Sequence, residues 1–354
     1  MDRVRIFAKG YGIWLAALAV VWLLHVFVAD AMDPYYFTII MYAGINIILA
    51  TSLNLVNGFT GQFSIGHAGF MSVGAYTSAY ITTQLQASNP ALFESGAGTL
   101  VFLGSLIVGG LAAALVGYIV GLPSLRLKGD YLAIVTLGFG EIIRVLVLNI
   151  EAIGGARGMP NIPRLSSFGW VYTLALVTVF SIWRLVNSAH GRALLSVRED
   201  EIAAEAMGVN TTKSKVRAFV IGAAFAGVAG GLFGHYLQYL NPATFDFNRS
   251  FEIIIMVVLG GMGSISGSVV AALFLTGMRE ALRELQAFAQ ANDLPKIFQS
   301  DYRMVIYSLL LIALMLTRPY GIFGTREFTD FLPKWLRRKV LGDEGVMSSA
   351  GGGK

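Results

Sequence analysis

Long apolar runs alternate with short polar connections along almost the whole chain. Ile13 to Ala29, Phe37 to Val56, Phe63 to Gln84, Thr99 to Gly121, Tyr131 to Ile150, Trp170 to Val186, Ala218 to Leu240, Phe251 to Gly277 and Met304 to Leu316 are read as membrane-spanning helices, a role for which roughly 20 apolar residues suffice. Arg3, Arg5 and Lys9 before the first run suggest a signal peptide. The run itself holds Trp14, Trp22 and His25, ends without a small-residue cleavage pattern and is followed by Asp30 and Asp33. It therefore reads as a retained span with a cytoplasmic amino terminus.

Alternating from that start, the positive-inside rule is met by Arg126, Lys128 and the segment Arg184 to Arg217, but nine spans would leave Arg318, Arg326, Lys334, Arg337, Arg338 and Lys339 outside. The run Phe251 to Gly277 resolves the parity. Gly260, Gly261, Gly263 and Gly267 break it, so it is expected to form two half-depth helices that enter and leave by the outer face, as broken helices do where they face protein or a cavity. The expected fold is an all-α polytopic membrane protein with about eight full spans plus this re-entrant or broken hairpin; ten spans satisfy the same charge rule. Outer loops would be Ser88 to Gly98, Glu151 to Gly169, Asn241 to Ser250 and Arg279 to Arg303. In the last, Ala281, Leu282, Leu285 and Phe288 suggest an external amphipathic helix. The organisation is then a transmembrane domain over 1–322, containing a cytoplasmic segment at 187–216, and a cytoplasmic tail at 323–354.

Composition agrees. Of 354 residues, 55% are hydrophobic and 13% charged, and a mean hydropathy of +0.66 is too much apolar surface for one water-soluble core. The 41 glycines lie throughout the apolar runs, which fits helices that approach closely in lipid. A net charge of +5 arises from loops between spans, so orientation in the membrane explains it and nucleic acid is not expected as a partner. There is no cysteine, which excludes disulfide and thiolate chemistry.

The stretch Asn54 to Gly69 puts Asn54, Asn57, Gln62, Ser64 and His67 among glycines between two apolar runs. Such a stretch suits a translocation path or a hinge, where glycine frees the backbone and polar side chains complete its hydrogen bonds. A plain cytoplasmic turn would carry the same residues. Glu141 and Arg144 stand three apart on one helical face inside a span; they either neutralise each other or meet the ionic groups of a zwitterionic solute. His67 and His235 lack ligand partners at metal spacing and read as packing residues, so no metal is expected. No nucleophile elbow or paired-carboxylate motif is present, and Gly351-Gly-Gly-Lys354 lacks the Ser/Thr and helix of a phosphate loop. Catalysis by this chain is not expected.

Four blocks carry a resemblance: Asn54 to Phe70, Leu125 to Arg144, Gly191 to Gly208 and Gly260 to Gly267. In this order they resemble the LivM-type permease of branched-chain amino acid ABC importers, and the Arg126 to Arg144 block favours the M over the H subunit. The resemblance implies a bacterial inner-membrane protein with both termini cytoplasmic, paired with a LivH-like permease, two cytoplasmic ATPases that bind ATP and magnesium, and a periplasmic or lipid-anchored solute-binding protein. This chain itself would bind no cofactor. The family's ATPase-coupling motif falls on Ile202, Ala203, Ala204 and Gly208, with Ile202 in place of the usual Glu and Glu201 and Glu205 beside it. A coupling helix presenting Ala203, Ala204 and Gly208 as a small-residue face, with Arg192 ahead of it, is thereby implied. ATP-driven closure would move it, and alternating access would follow at Asn54, Asn57, Gln62 and Ser64. Related permeases carry other amino acids, urea or short amides. A secondary carrier, a channel and a purely structural subunit are the competing readings.

Overall fold

Asp33 and Pro34 start the helix around which the others are arranged. In the computed structural model the Asp33 carboxylate accepts the Tyr35 amide at 2.8 Å, while Pro34 stands at the start of the helix, where its missing N–H costs nothing. The structure describes the backbone of residues 2–94, 96–127, 129–291 and a few residues between 309 and 327, with side chains over 12–284 apart from 13, 28–31, 94, 95 and 128. In chain order the helices are α1 (Asp2–Ala31), α2 (Pro34–Asn57), α3 (His67–Ser88), the single turn α4 (Ala91–Glu94), α5 (Gly98–Ser124), α6 (Asp130–Asn149), α7 (Phe168–Val186), α8 (Ala189–Glu199), α9 (Glu201–Ala206), α10 (Thr211–Leu237), α11 (Phe247–Gly260) and α12 (Ile265–Ala291). An isolated antiparallel bridge joins Met159 to Leu240. Among the described residues, six helices (α2, α5, α6, α7, α10 and the Ile265–Glu284 part of α12) are long and apolar enough to cross a membrane.

Burial sorts the spans. Most of α2 and α10 is buried, whereas α5 and α6 leave Leu111, Ile119, Ile134 and Leu146 exposed, as lipid-facing surfaces require. The α2 helix runs antiparallel to α12, and polar pairs mark the register. Asn54 bonds Ser268, Asn46 bonds Thr276, and Tyr35 and Tyr36 donate to Glu280 and Glu284. One end of the bundle is thus defined by Asn57 and the other by Tyr35. Two contacts fix α8 at the Asn57 end and the last turn of α10 at the Tyr35 end: Arg198 to the Gly58 carbonyl and Tyr236 to Thr38.

The run Phe251 to Gly277 breaks at its glycines, but not into two half-depth helices. Gly261 and Gly263 take positive φ, and Gly263 lies against Gly58 and Arg198 at the Asn57 end, so the break sits at the far end of the bundle and not at half depth. The 27 residues of α12 extend about 40 Å and carry the chain back to Glu284 beside Tyr36. Only α11 is short. Its 14 residues cover about 21 Å, starting where Arg249 bonds Asn46 near the midpoint of α2. Residues 238–246, with a 3₁₀ turn at Pro242–Phe245, bring the chain down to that depth. A composite crossing followed by a full one is the ten-span alternative. Gly267 is no break; it closes α12 onto Gly260.

Smaller corrections follow. The first four residues of the run Phe63 to Gln84 precede α3, and Arg279, Ala281 and Leu282 continue α12 without a separate external helix. The side chains of Leu285 and Phe288, Lys128, most of the run Met304 to Leu316 and the tail beyond Glu327 lie outside the described residues.

Packing among α3, α5 and α10 depends on absent side chains. Gly74 meets the Gly227 backbone, a Cβ on Gly227 would fall 2.5 Å from that of Ala113, and a side chain on Gly230 would run into the Met71 carbonyl. Small residues of this kind replace the hydrophobic drive that lipid cannot supply. Gly230→Leu is therefore expected to abolish recovery of monodisperse permease in detergent, while Gly104→Leu, which faces open space, should leave yield near wild type. Equal yields by size-exclusion chromatography would remove the α3–α10 contact from the determinants of folding.

Candidate functional site

The polar stretch between α2 and α3 turns inward. Asn54 is fully buried and donates to the Ser264 carbonyl and the Ser268 hydroxyl, both at 2.8 Å, while its Oδ1 accepts the Gly263 amide at 2.9 Å. It fills the gap left where the helix ladder stops between α11 and α12. Asn57 clasps Ser64, accepting its N–H at 3.1 Å and donating to its carbonyl at 3.3 Å, so residues 58–64 form a tied loop. Ile65 donates to Thr136 of α6. The His67 ring meets Ser52 at 2.9 Å, and half-buried Gln62 reaches only the Thr60 carbonyl, at 3.4 Å. In this conformation Asn54, Asn57, Ser64 and His67 bind protein groups. His235 is likewise a packing residue, bonded to Thr82 and the Gly231 carbonyl.

The break between α11 and α12 receives the chain from its far side as well. Ile322 and Phe323 donate to the carbonyls of Leu259 and Gly260. Glu327 accepts the Ile265 and Ser266 amides at 2.7 and 2.9 Å, placing a carboxylate at the positive end of α12. Gly261 presses so closely on the Gly324 backbone that no side chain fits.

Two short helices make up the segment between α7 and α10. Ser188, Asp200 and Asn210 cap α8, α9 and α10 in turn. Leu194 of α8 joins Leu55, Phe59, Ile182, Ala218 and Ile265 in a small core, so α8 is packed onto the ends of α2 and α12. Arg198, which the pattern of the sequence did not single out, joins these parts. Its guanidinium donates to the Gly58 carbonyl at 3.2 Å and to Glu199 at 2.6 Å, and its side chain covers Gly61 and Gly263. The nearest signal was a lone basic residue beside two acids, which gives no hint of a partner 140 positions away.

The expected small-residue face of α9 is corrected. Ala204 is buried against the chain itself, whereas Ala203 is exposed beside Ile202 (76%) and Met207 (84%). The outward surface is therefore apolar and bulky. A side chain at Gly208 would meet open space, and the residue takes φ +84°, so a backbone turn, not close packing, calls for glycine there. Glu201 and Glu205 are engaged internally, with Lys215 at 2.7 Å and Thr211 at 2.6 Å. Arg192 is exposed on α8. A groove of ≈ 320 Å³ lined by His190, Ala193, Asn210, Lys213 and Arg217 opens between α8 and α10.

Arg144 and Glu141 pair at 2.7 Å on the half-exposed side of α6. A second charged group was not anticipated: Arg249 and Arg279 share Glu252 across α11 and α12, at 2.9 and 2.8 Å. The same i,i+3 spacing at Arg249 and Glu252 was available in the sequence. The outer-loop expectation for Asn241 to Ser250 separates these two residues and hides the pair.

With this geometry in hand, comparison with known proteins is informative. The family described as branched-chain amino acid transport system, permease component, matches residues 35–315. The high-affinity branched-chain amino acid transport permease LivM of Salmonella typhimurium is 36% identical over 313 residues, covering 78% of this chain and 67% of that protein; LivM of Escherichia coli is similar to the same degree. The H-type permease of Salmonella typhimurium is 27% identical over 317 residues, covering 82% of this chain and 97% of its own. No solved structure matches.

Removing the Asn54 side chain strands the Gly263 amide in a buried site, at about 1–3 kcal/mol for a group left unpaired, while the Ser264 carbonyl and the Ser268 hydroxyl still bond each other. Asn54→Ala should therefore lower the thermal unfolding midpoint of the solubilised protein well below that of Ser268→Ala, whose loss leaves Asn54 bonded to the Ser264 carbonyl. Matching midpoints would show that Asn54 does not hold the break together.

Proposed function

The chain belongs to the family of branched-chain amino acid transport permease components, and on that premise we propose that it is the M-type permease of an ATP-driven importer that moves branched-chain amino acids by alternating access. Its complex would comprise a LivH-like permease, two cytoplasmic ATPases carrying ATP and magnesium, and an external solute-binding protein, in a bacterial inner membrane. The chain itself performs no covalent step.

The observation that carries the mechanism is Arg198. It bonds the end of α2 at Gly58 and covers Gly263 at the helix break, so a push on α8 and α9 reaches both positive-φ glycine turns, at Gly61 and Gly263, through one side chain. A rigid-body shift of a short helix at an interface is a common way for domain closure to be passed on. The exposed surface of Ile202, Ala203 and Met207 supplies the contact with the ATPase, and the internal engagement of Glu201 and Glu205 makes that contact apolar in character. Asn54, Asn57 and Ser64 act as the hinge beneath it. Glu141 and Arg144 serve as a structural ion pair that spares each charge from lipid.

Two measurements test this reading. Ala203→Asp puts a charge on the exposed surface of α9 without touching the bundle. It should abolish solute-stimulated ATP hydrolysis in proteoliposomes with the binding protein present, at unchanged permease yield; full stimulation would show that α9 is not the coupling contact. For orientation, a cysteine at Ser196 of this cysteine-free chain should react with impermeant reagent only from the cytoplasmic side, and one at Ser88 only from outside. Reaction of position 196 from outside intact cells would invert the topology and remove the ATPases from α8.

A further inference from the structure

Charges at mid-depth in a membrane protein face protein or water, because exposure to hydrocarbon costs several kcal/mol. Arg249, Glu252 and Arg279 sit at such a depth, since Arg249 donates at 2.9 Å to Asn46, and Asn46 donates at 2.9 Å to Thr276, near the midpoint of α2. Arg249 is also close above the Phe233 ring, at 5.9 Å. Two guanidiniums share one carboxylate, so the group carries one uncompensated positive charge. Arg249 Nε is buried without a hydrogen-bond partner among the described residues. Glu252 and Arg279 keep 30% and 31% of their side chains exposed, and Phe251, next to Glu252 in α11, is exposed as well.

A partly exposed ion pair at mid-depth does not suit lipid contact. One missing negative charge and one missing acceptor are what a carboxylate supplies. We propose that Arg249, Glu252 and Arg279 form a binding site for the α-carboxylate of the amino acid in transit, on the α11–α12 side of the chain that borders the translocation path. This rests on the importer reading above. The incoming carboxylate takes Arg279, Glu252 passes wholly to Arg249, and the group becomes neutral while the solute is held. Because Glu252 competes for Arg279, the carboxylate is released again, as a transport site requires. The apolar side chain of the solute lies against Phe251.

The test uses the assembled complex in proteoliposomes with its binding protein. Arg279→Gln should lower leucine uptake by about tenfold or more, the loss of one charge-assisted hydrogen bond, while co-purification of the partner permease stays near wild type; Arg279→Lys should recover part of the uptake. Normal uptake by a fully assembled Arg279→Gln complex would overturn the proposal, and so would loss of the partner permease, which would make the group an inter-subunit ion pair. If the variant does not fold, Phe251→Cys in the otherwise native chain decides. An anionic methanethiosulfonate should label it faster than a cationic one of equal size, and leucine with binding protein and ATP should slow the labelling; no labelling, or no charge preference, would overturn the site. Should the wild-type complex fail to import leucine at all, the importer reading for that solute fails, and the charge preference at position 251 still reports on the site.

Discussion

Within a hydrocarbon layer no water is available to complete a broken hydrogen-bond ladder, and this constraint shapes the molecule around Gly260 to Ser264. A chain that stops one helix and starts another there must find partners for its amides and carbonyls inside the protein. Asn54 supplies three contacts, Ile322 and Phe323 occupy the last carbonyls of α11, and Glu327 takes the first amides of α12. The most buried span, the helix break, residues 321–324 and Glu327 are thereby one unit. Arg198 bonds to its edge.

The second constraint is distance between backbones. Glycine contacts along α3, α5 and α10 make that part of the bundle stiff, because close-packed spans have few alternative arrangements. The loop of residues 58–66 and the segment of residues 238–246 are different: their polar groups are satisfied by side chains such as Asn57 and Asn241 and can exchange partners. A stiff body and two polar, irregular segments on its Asn57 and Tyr35 sides are the parts that alternating access needs.

Charge is distributed accordingly. Glu141 and Arg144 cancel on the half-exposed side of α6, and the buried Lys215 is matched by Glu201. The group formed by Arg249, Glu252 and Arg279 has two guanidiniums on one carboxylate and does not cancel, and it stands at mid-depth. Its cost is tolerable in the bundle only where protein or water meets it.

By itself the sequence determined the class of the protein and most of its helices, because the length of an apolar run and the depletion of charge are local properties that lipid imposes on each span separately. It also located the break at Gly260 to Gly263 and the capped helix after Asp200, since glycine clusters and N-cap residues are read within a few positions. What the tertiary structure alone decided is which end of the bundle the break occupies, and so that α12 is a full span. That depends on contacts between Asn54, Arg198 and Gly263, which are separated by as many as 209 positions. The outward turn of Ile202 and Met207, and the inward turn of Ala204, were equally out of reach. A six-residue helix has too short a period to show its buried side, and that side is chosen by the span it lies against.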